Sequence, residues 1–446
     1  MECSTKTAEV PVLPGKLGVN LVLGDWQELD QALNLDLEAT ARESRALLRR
    51  REIRSAADLL RLILVYALCD WSLRLVGAWA VLQGIGCLSD VAVLKRLRHS
   101  QKWLGVLIGG LLKQRCQALR SQAVVRVRLV DASVICQPAS QGTDWRVHLS
   151  LDLERTCLDG IAVTDAHSGE TLARFPTQDG EILVADRGYA FASGLGPPLE
   201  SGASLAVRIN WQNLPLRTLD GQPFDLIGWL KRLAGPDEHP VRLETPQGWF
   251  ALRLCACPLP QEAAERARSR VRKAAAKKGR TPNQKGLFAA GFVLVVTNLP
   301  AHTWSLAQVF GLYRLRWQVE LQIKRCKSLL HLDHLRAQDP RLVQTYLLAK
   351  LLAALLLDGL VHQVQGQQPD WFRSLERPIS LWRLTACLWE GLCQLIRGSL
   401  SLQRLFQVLP RLRRYFCDSP RARPQQLAWA RALLEHLNCS FSSFSC

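Results

Sequence analysis

The sequence predicts an α/β protein in which a strand-rich middle part, interrupted by a second β-rich stretch, lies between two helical regions. Three observations lead to this prediction. Apolar residues recur at spacings of three and four through residues 37–118, which is typical of helices. From Val124 the apolar period becomes two, as in a strand. From Ser305 onward the spacing is helical again.

The first helical region carries a weak signal for DNA binding. Gly84 and Gly86 end one apolar helical run, and Ser89 is placed to cap a second, basic run, DVAVLKRLRHS. Two short helices over residues 72–99, joined by a glycine-containing turn, suit a helix-turn-helix. An ordinary helical hairpin is the alternative, and the sequence favours it.

The middle part contains five predicted strands, VVRVRLVD, WRVHLSLDL, LDGIAVTDA, EILVADRGYA and SLAVRIN. The fourth is almost entirely apolar and ends at Asp186, and Arg187 and Gly188 follow as a turn. Apolar strands without alternation are buried on both faces of a sheet. We therefore expect these strands to form the covered centre of the molecule.

About ninety residues after SLAVRIN leave this pattern and form the β-rich stretch, which ends at Pro300. It contains the strand-like pieces VRLETPQGWFALRLCAC and GFVLVVTNLP around the helix EAAERARSRVRKAAAKKGR. That helix is strongly basic, with two glutamates against Arg266, Arg268, Arg270, Arg272, Lys273, Lys277 and Lys278. We predict contact with a DNA backbone, with a merely solvated face as the alternative.

Charge and composition narrow the partners of the chain. Lys and Arg number 57 against 39 Asp and Glu, a formal charge of +18, which favours a polyanion, first nucleic acid and second a membrane surface. Residues 347–361 are apolar but are broken by Lys350 and Asp358, so no membrane span is expected. Met1–Gly15 lacks the pattern of a secretory leader. The fourteen cysteines form no zinc-ligand cluster and predict buried thiols in a reducing cytoplasm.

Two aspartates stand where predicted strands end. Asp131 and Asp186 each close an apolar strand, the position from which side chains enter a crevice at the sheet edge. Either one alone is more typical of a cap or turn. If a helix brings Glu320 over them, the three carboxylates need cations. Oxygen ligands select Mg²⁺ or Mn²⁺, and two such ions catalyse phosphodiester displacement.

The predicted helix YRLRWQVELQIKRCK, residues 313–327, carries one polar face. Its spacing places on that face Tyr313, Arg316, Glu320, Lys324 and Lys327, beside an apolar stripe that includes Leu312, Leu315, Val319, Ile323 and Cys326. A solvated face with Arg316/Glu320 and Glu320/Lys324 pairs is the simpler interpretation. Combined with the aspartates, the face predicts phosphate binding by Arg316, Lys324 and Lys327.

These residues resemble the DDE transposases of bacterial insertion sequences that cut and paste through DNA hairpins. Tyr313, Arg316, Glu320 and Lys327 match the motif Y-x2-R-x3-E-x6-K of that group, and ADRGYA and VVTNLP are also similar to it. The resemblance covers roughly residues 40–360. It implies a ribonuclease H-like catalytic core with Asp131 and Asp186 on adjacent strands, interrupted by a β-rich insertion.

The resemblance also implies catalytic and metal-binding roles for Asp131, Asp186 and Glu320, and DNA contacts from Tyr313, Arg316 and Lys327. The family stacks an aromatic side chain on a flipped base; here Phe292 is nearest to that position, followed by Val293, with Trp304 next. We expect a homodimer on double-stranded DNA in the bacterial cytoplasm, because one active site per chain must process two ends. The predicted segments are 1–120, 121–209, 210–300, 301–345 and 346–446, the last for possible dimerisation.

Two other functions stay open. A ribonuclease H-like nuclease would cut DNA without rejoining it, and an inactive relative would bind DNA without cutting. The motif favours a transposase over a nuclease, and the presence of all three carboxylates argues against an inactive relative. Asp144 and His148 in TDWRVHL resemble a catalytic pair, but we expect them to be supporting or surface residues.

Overall fold

The computed structural model describes residues 33–120, 125–140, 142–373 and 377–418. These residues divide into two compact units. The helical unit comprises the described residues up to 120 and those from 352 to 418, and the sheet unit comprises the described residues from 125 to 351. The predictions about Met1–Gly15, the strand start at Val124 and the chain beyond residue 418 lie outside the described residues.

The predicted helices of residues 37–118 are confirmed. They are α1 Leu37–Glu43, α2 Ala56–Leu68, α3 Leu73–Leu82, α4 Asp90–Arg98 and α5 Gln101–Arg120. Serine side chains begin three of them, since Ser55, Ser72 and the predicted Ser89 each accept a hydrogen bond from a backbone amide in the first turn. Helix α2 is buried along most of its length, which makes it the central helix of this unit.

The segment between α3 and α4 favours a helical hairpin over a helix-turn-helix. It runs from Gln83 to Ser89, which is longer than the roughly three or four residues of the turn in a helix-turn-helix. Gly84 and Gly86 there adopt φ values of 68° and 155°, which glycine reaches without strain.

The sheet unit is built on one mixed sheet with the strand order β3-β2-β1-β4-β5-β9-β8-β7-β6. The strands are β1 Arg126–Ile135, β2 Trp145–Asp152, β3 Cys157–Asp165, β4 Glu181–Ala185, β5 Ser204–Arg208, β6 Leu216–Arg217, β7 Asp237–Thr245, β8 Gly248–Pro258 and β9 Phe292–Thr297. Strands β1, β2 and β3 form an antiparallel meander, whereas β4 and β5 run parallel to β1.

The β-rich stretch predicted at 210–300 continues this sheet. Strand β9 pairs with β5 on one side and with β8 on the other, both antiparallel. One apolar core packs against strands of both parts, including Leu183, Val207, Leu254 and Val296. The division of the chain into core and insertion stays a prediction, since these strands share a sheet.

The helices of the sheet unit are α6 Ala192–Glu200, α7 Leu226–Lys231, α8 Gln261–Lys277, α9 Gln284–Ala289, α10 Leu306–Leu315 and α11 Trp317–Leu330. The predicted basic helix is α8, and the predicted Ser305 cap forms a capping box with Gln308 at the start of α10. The apolar stripe packs inward as predicted at Leu312, Leu315, Val319 and Cys326.

The expectation of one continuous helix through residues 313–327 is wrong. Arg316 separates α10 from α11, and two tighter bonds replace the normal ladder there, from Arg316 N to Tyr313 O (3.1 Å) and from Val319 N to Arg316 O (3.1 Å). Bonds between residues three apart tighten the backbone locally. The polar face is therefore divided between two helices that meet at Arg316.

Beyond Leu330 the described chain is helical, as predicted, in α12 Pro340–Gln367, α13 Pro369–Arg373, α14 Leu381–Arg397 and α15 Leu402–Phe416. The Arg61 Nε of α2 donates to the Ile396 carbonyl of α14 (2.8 Å), so the N-terminal and C-terminal helices belong to one unit. By length and composition α12 could cross a membrane, but 78% of its most apolar window is buried inside the protein.

The cysteines are less buried than the sequence predicted. Among the described residues eleven cysteines are free thiols, and of these only Cys157, Cys255, Cys326 and Cys393 are buried, while Cys87 and Cys136 are exposed. Cysteine type alone predicts burial, but Cys87 and Cys136 lie next to connecting loops.

A buried ionic cluster lies at the start of β1. Arg126 contacts Asp152 (3.1 Å), Asp159 and Glu181, and Arg128 contacts Asp159 (3.0 Å) and Glu181 (3.1 Å). Every one of these side chains is at most 5% exposed. Burying such charges is tolerable only when they are mutually paired, so the cluster fixes how β1, β2, β3 and β4 meet.

Candidate active site

Asp131 and Asp186 lie side by side on neighbouring parallel strands. The parallel pairing of β1 and β4 ends with Val130 opposite Ala185, so the next residue on each strand is one of the two aspartates. The sequence placed Asp131 at a strand end, which is wrong: β1 continues to Ile135 because it still pairs with β2. Asp131 instead lies beside the carboxyl end of β4, where Asp186 follows.

Asp186 is held by the turn that follows β4. It caps a short 3₁₀ helix, Arg187–Tyr189, and its Oδ1 accepts a hydrogen bond from the Gly188 amide (2.7 Å). Capping fixes the carboxylate at the carboxyl end of the strand, where functional groups of parallel sheets gather.

Glu320 reaches the same edge from the first turn of α11, and Arg316 connects it to Asp131. The Arg316 Nη1 donates to Asp131 Oδ2 (3.1 Å), and its Nη2 contacts Glu320 Oε1. The Arg316 side chain is only 15% exposed. Arg316 thus joins Asp131 to Glu320, and Asp186 lies beside Asp131 on the neighbouring strand. The catalytic roles of the three carboxylates stay predictions.

The three carboxylates share one electrostatic environment. Burial raises the pKa of the Asp131 carboxyl to about 6; the charges of Asp186 and Glu320 add to that shift, and Arg316 opposes it. Desolvation and like charges both disfavour the ionised form. An acidic group shifted in this way beside other acidic groups is typical of a functional site.

Carboxylate oxygens have the right chemistry to hold Mg²⁺ or Mn²⁺, and the guanidinium of Arg316 takes the place of a cation between two of them. Within the described ranges, no three acidic, histidine or cysteine side chains converge tightly enough to hold an ion as they stand. The donor set thus fits a hard divalent ion, while Arg316 partly occupies the carboxylates that would bind it.

A cavity of about 600 Å³ opens beside Asp186. Tyr313 and Arg316 of the signature line it, together with Phe292. Their contact with DNA stays a prediction. Sequence reasoning missed other lining residues that are basic or aromatic, namely Arg208 and Trp211. The available signal was their place at the end of β5, where Arg208 is the last residue of the strand and Trp211 follows it. Strand β5 is parallel to β4 and ends at the same sheet edge.

Lys324 and the signature lysine Lys327 lie on α11 outside the cavity. Lys324 is exposed and Lys327 is half-buried, and neither lines the cavity. No salt bridge of either lysine occurs within the described part of the chain. Phosphate binding by these two lysines stays a prediction.

The two candidate stacking residues, Phe292 and Trp304, differ in whether they line the cavity. Phe292, at the start of β9, is half-buried, lines the cavity and packs against Phe288 with ring centroids 5.5 Å apart. Trp304, the next candidate from the sequence, is 1% exposed. The Trp304 prediction is wrong because that ring fills the core. Besides Phe292, the aromatic residues that line the cavity are Trp211 and Tyr313.

The basic helix α8 presents part of its charge to the same cavity. Arg270 and Lys278 line it, whereas Arg266 pairs with Glu262 (3.4 Å) and Arg272 with Glu265 (2.6 Å). Exposed pairs of this kind stabilise a helix only slightly. The cavity-facing cations are consistent with the predicted DNA contact.

Asp144 and His148 do not form a catalytic pair. Asp144 Oδ2 accepts from the Gln137 amide (2.8 Å), which closes the loop before β2. His148 is fully buried, its Nε2 is 3.0 Å from the Thr164 hydroxyl, and burial lowers the pKa of its imidazole to about 3. Both are supporting residues, as expected.

Comparison with known proteins identifies the family. Residues 162–356 match the model of the transposase DDE domain, a range that includes Asp186 and Glu320 and begins after Asp131. A solved piggyBac transposase synaptic complex with hairpin DNA is similar over 92% of this chain and 85% of its own, at 10% identity and a TM-score of 0.40. That score is too low to carry an argument.

Two sequence relatives from Escherichia coli are much more similar. The transposase InsL of insertion sequence element IS186A, from strain K12, is 40% identical over 334 residues, which is 73% of this chain and 90% of the relative. The transposase of IS421 is 40% identical over 335 residues, with the same coverage. The IS231F transposase of Bacillus thuringiensis subsp. israelensis is 29% identical over 146 residues, 32% of this chain and 30% of its own. With this identity over nine-tenths of two relatives, and with its carboxylates gathered at one sheet edge, the chain belongs to the DDE transposases of bacterial insertion sequences.

Proposed function

We propose that this transposase binds the inverted-repeat ends of an insertion sequence, cleaves them through hairpin intermediates and joins them to target DNA. It acts as a homodimer on double-stranded DNA in the bacterial cytoplasm. The observation that carries the proposal is the placement of Asp131 beside Asp186 on neighbouring parallel strands, with Arg316 joining Asp131 to Glu320. The net charge of +18 supports a DNA partner.

We assign strands β1 to β5 to a ribonuclease H-like core and β6 to β9 with α7 to α9 to its insertion. The placement of Asp131 and Asp186 on adjacent parallel strands supports this assignment, as does the position of Glu320 on a helix that follows the insertion. The cavity beside Asp186 lies between residues of both parts, so DNA bound there touches the core and the insertion.

Asp131, Asp186 and Glu320 are the residues that would hold two Mg²⁺ or Mn²⁺ ions. When bound, such ions supply the activation of an attacking water and neutralise charge on the leaving oxygen. Tyr313, Lys324 and Lys327 bind phosphates of the transposon end. Arg316 does the same after its guanidinium exchanges a carboxylate partner for a phosphate, which forms equally good bidentate bonds.

The test is Mg²⁺-dependent nicking of DNA that carries the element's ends. Asp131→Asn, Asp186→Asn and Glu320→Gln are each expected to abolish nicking and to leave DNA binding intact or tighter, because each removes an ion ligand and a negative charge. Asp220→Asn, on an exposed turn of the same unit, is the matched control and should cut like the parent. Retained cleavage in one variant would remove that residue from the catalytic set.

The same assay separates the transposase from a nuclease. Supplying pre-cut ends and a target plasmid reports joining directly, and the parent is expected to insert both ends. Cutting without any joined product would support the nuclease, and binding without cutting would support the inactive relative.

A further inference from the structure

Helix α15 carries arginines on its exposed side and no acidic residue. The sequence of the helix, LQRLFQVLPRLRRYF, contains four arginines and neither Asp nor Glu. Arg404, Arg411 and Arg414 follow one another at spacings of seven and three, so at about 100° per residue they lie on one side of the helix. All three side chains are exposed. We call these three residues the arginine face.

The other side of α15 packs into the core of the helical unit. Leu405, Leu409 and Phe416 are at most 4% exposed, and they lie roughly opposite the arginine face. Helix α14 approaches closely at Gly391, where an added Cβ would lie 2.7 Å from the Leu405 side chain. The helix is therefore amphipathic because its apolar side is buried in the protein, and that side is not free to enter a membrane.

Hydrogen bonds hold the C-terminal end of α15 against the start of α14. The Ser380 amide donates to the Phe416 carbonyl (2.8 Å), and Arg383 Nη1 donates to the Cys417 carbonyl (2.8 Å). Arg383 also forms a salt bridge with Asp418 (3.0 Å). The acidic residue that follows the helix thus has another partner, and the arginine face is held in a fixed orientation on its unit.

The charges of the arginine face are not neutralised by acidic side chains. Within the described residues none of Arg404, Arg411 and Arg414 forms a salt bridge. The Arg414 guanidinium lies over the Tyr415 ring, 4.7 Å from its centroid, and this neutral partner leaves the charge in place. The basic helix α8 differs, since three of its arginines pair with its two glutamates. Exposed cations gathered in this way favour a polyanionic partner.

We propose that the arginine face makes a sequence-independent contact with the backbone of duplex DNA. Guanidinium groups bind phosphates through paired hydrogen bonds, and phosphate contacts carry no sequence information. From Arg404 to Arg414 the helix rises about 15 Å, the length of roughly four base pairs, so three phosphates are within reach. The proposal rests on the proposed function, which makes DNA the substrate, and it adds a DNA contact from the helical unit.

Two other occupants of the arginine face fit less well. In a symmetric pair of chains joined through this face, each face would meet its own like charge. Binding of a basic amphipathic helix to an anionic membrane uses the apolar side, which α15 buries at Leu405, Leu409 and Phe416. Duplex DNA needs only the exposed cations.

The salt dependence of DNA binding tests the proposal. The full chain is titrated, without divalent ions, against the element-end duplex and a random-sequence duplex at about 50–200 mM salt. A variant that combines Arg404→Gln, Arg411→Gln and Arg414→Gln should lose about two to three units of slope on both duplexes, because each lost phosphate contact removes about one unit. Arg413→Gln, exposed on the same helix but about 100–180° away from the face, is the matched control and should keep the parental slope.

The outcomes separate this proposal from the proposed function. A parental slope in the triple variant would overturn the DNA contact of the arginine face alone, and so would an equal loss in Arg413→Gln or a loss confined to the element-end duplex. Absence of DNA binding by the parent would overturn the proposed function itself. Urea unfolding of both variants should match the parent, because exposed substitutions have small effects.

Vesicles that contain anionic lipid, and light scattering without DNA, test the two other occupants. Loss of vesicle binding or of self-association in the triple variant, with a parental salt slope, would overturn the proposal and assign the arginine face to that partner. Parental behaviour in both measurements, together with the reduced slope, would support DNA as the occupant.

Discussion

At the scale of the residue, Arg316 has two roles that the sequence could not separate. Its motif position predicted a phosphate contact, while the structure adds its bonds to Asp131 and Glu320. Those bonds depend on β1 lying beside α11, far away in sequence. The carboxylates themselves were predictable, because strand ends and a spaced motif mark them in the sequence.

Replacing Arg316 should therefore affect stability as well as DNA binding. Arg316→Ala is expected to lower the metal-free free energy of unfolding by about 1–3 kcal/mol, because two partly buried carboxylates lose their charged donor. Adding Mg²⁺ should raise the free energy of unfolding of Arg316→Ala more than it raises that of the parent. Urea unfolding with and without Mg²⁺ measures both effects.

Lys327→Ala is the comparison variant for Arg316→Ala. It should leave the metal-free stability within about 0.5 kcal/mol and reduce the salt dependence of DNA binding by about one unit of slope. If Arg316→Ala unfolds like the parent in metal-free buffer, its contacts with Asp131 and Glu320 are energetically unimportant.

A second prediction concerns Asp152 in the buried ionic cluster. Burial and the charge of Asp159 raise the pKa of its carboxyl to about 6, whereas an unfolded aspartate has a value of about 3.9. The folded state therefore binds this proton more tightly. The resulting stabilisation is complete below about pH 4 and is lost as the pH rises through about 6, a change on the order of 2–3 kcal/mol.

Asp152→Asn should remove that pH dependence. The free energy of unfolding, measured from pH 4 to pH 8 in the parent and the variant, should fall less steeply with pH in the variant. Asp220→Asn serves as the exposed control and should follow the parent. Parallel curves for the parent and Asp152→Asn would show that Asp152 does not titrate in this range.

At the scale of the element, the sequence predicted most helices and strands but not where two of them end. Helix α10 ends before Arg316, although the spacing through Tyr313 and Glu320 fits one helix, because periodicity does not reveal a local tightening of the backbone. Strand β1 continues past Asp131 because its partner β2 extends that far. Both boundaries depend on tertiary partners, which a local pattern does not contain.

The cavity beside Asp186 collects residues from elements distant in sequence. Trp211 follows β5, Arg270 lies on α8, Phe292 begins β9 and Tyr313 lies on α10. Trp211 escaped sequence reasoning because it stands in a connecting segment without a motif. The signal that could have found it is its position just after a strand parallel to β4.

The aromatic lining of the cavity leads to a third prediction. Phe292→Ala should leave first-strand nicking nearly normal and impair hairpin formation, because stacking on an unstacked base contributes about 1–3 kcal/mol. A 2-aminopurine next to the cut should lose its fluorescence change on binding. Phe250→Ala is the matched control, because Phe250 is a half-buried phenylalanine of β8 that does not line the cavity.

Trp211→Ala tests the second aromatic candidate for stacking. Normal hairpin formation by Phe292→Ala together with its loss in Trp211→Ala would assign the stacking role to Trp211. Normal hairpins in both variants would show that neither Phe292 nor Trp211 holds the base.

At the scale of the whole molecule, the sequence predicted five consecutive segments, whereas the structure groups the described residues into two units. The first and last helical regions share one unit, through contacts such as Arg61 with Ile396. Sequence order cannot show that distant segments pack together, so this grouping was not predictable from composition or periodicity. The order of the first five strands was partly predictable, since apolar runs mark β4 and β5 as central.

The fourth prediction is assembly on DNA. A chain with one set of Asp131, Asp186 and Glu320 must process two ends for one insertion, so the end complex should contain two chains, with the helical region after residue 346 as the expected interface. Light scattering of the purified complex measures the number of chains. A complex with one chain that still cuts and joins paired ends would contradict the prediction.

Strand β9 lies between β5 and β8, yet it comes from a different stretch of chain than either of them. A break at the exposed turn around Gly279 would leave Asp131 and Asp186 on one fragment and Glu320 on the other. The edges of β5, β8 and β9 would then be unpaired, and they would favour pairing with each other because exposed backbone donors and acceptors favour strand pairing. We therefore expect two separately made fragments, each inactive alone, to reassemble through this sheet when mixed, which co-purification of the fragments would measure.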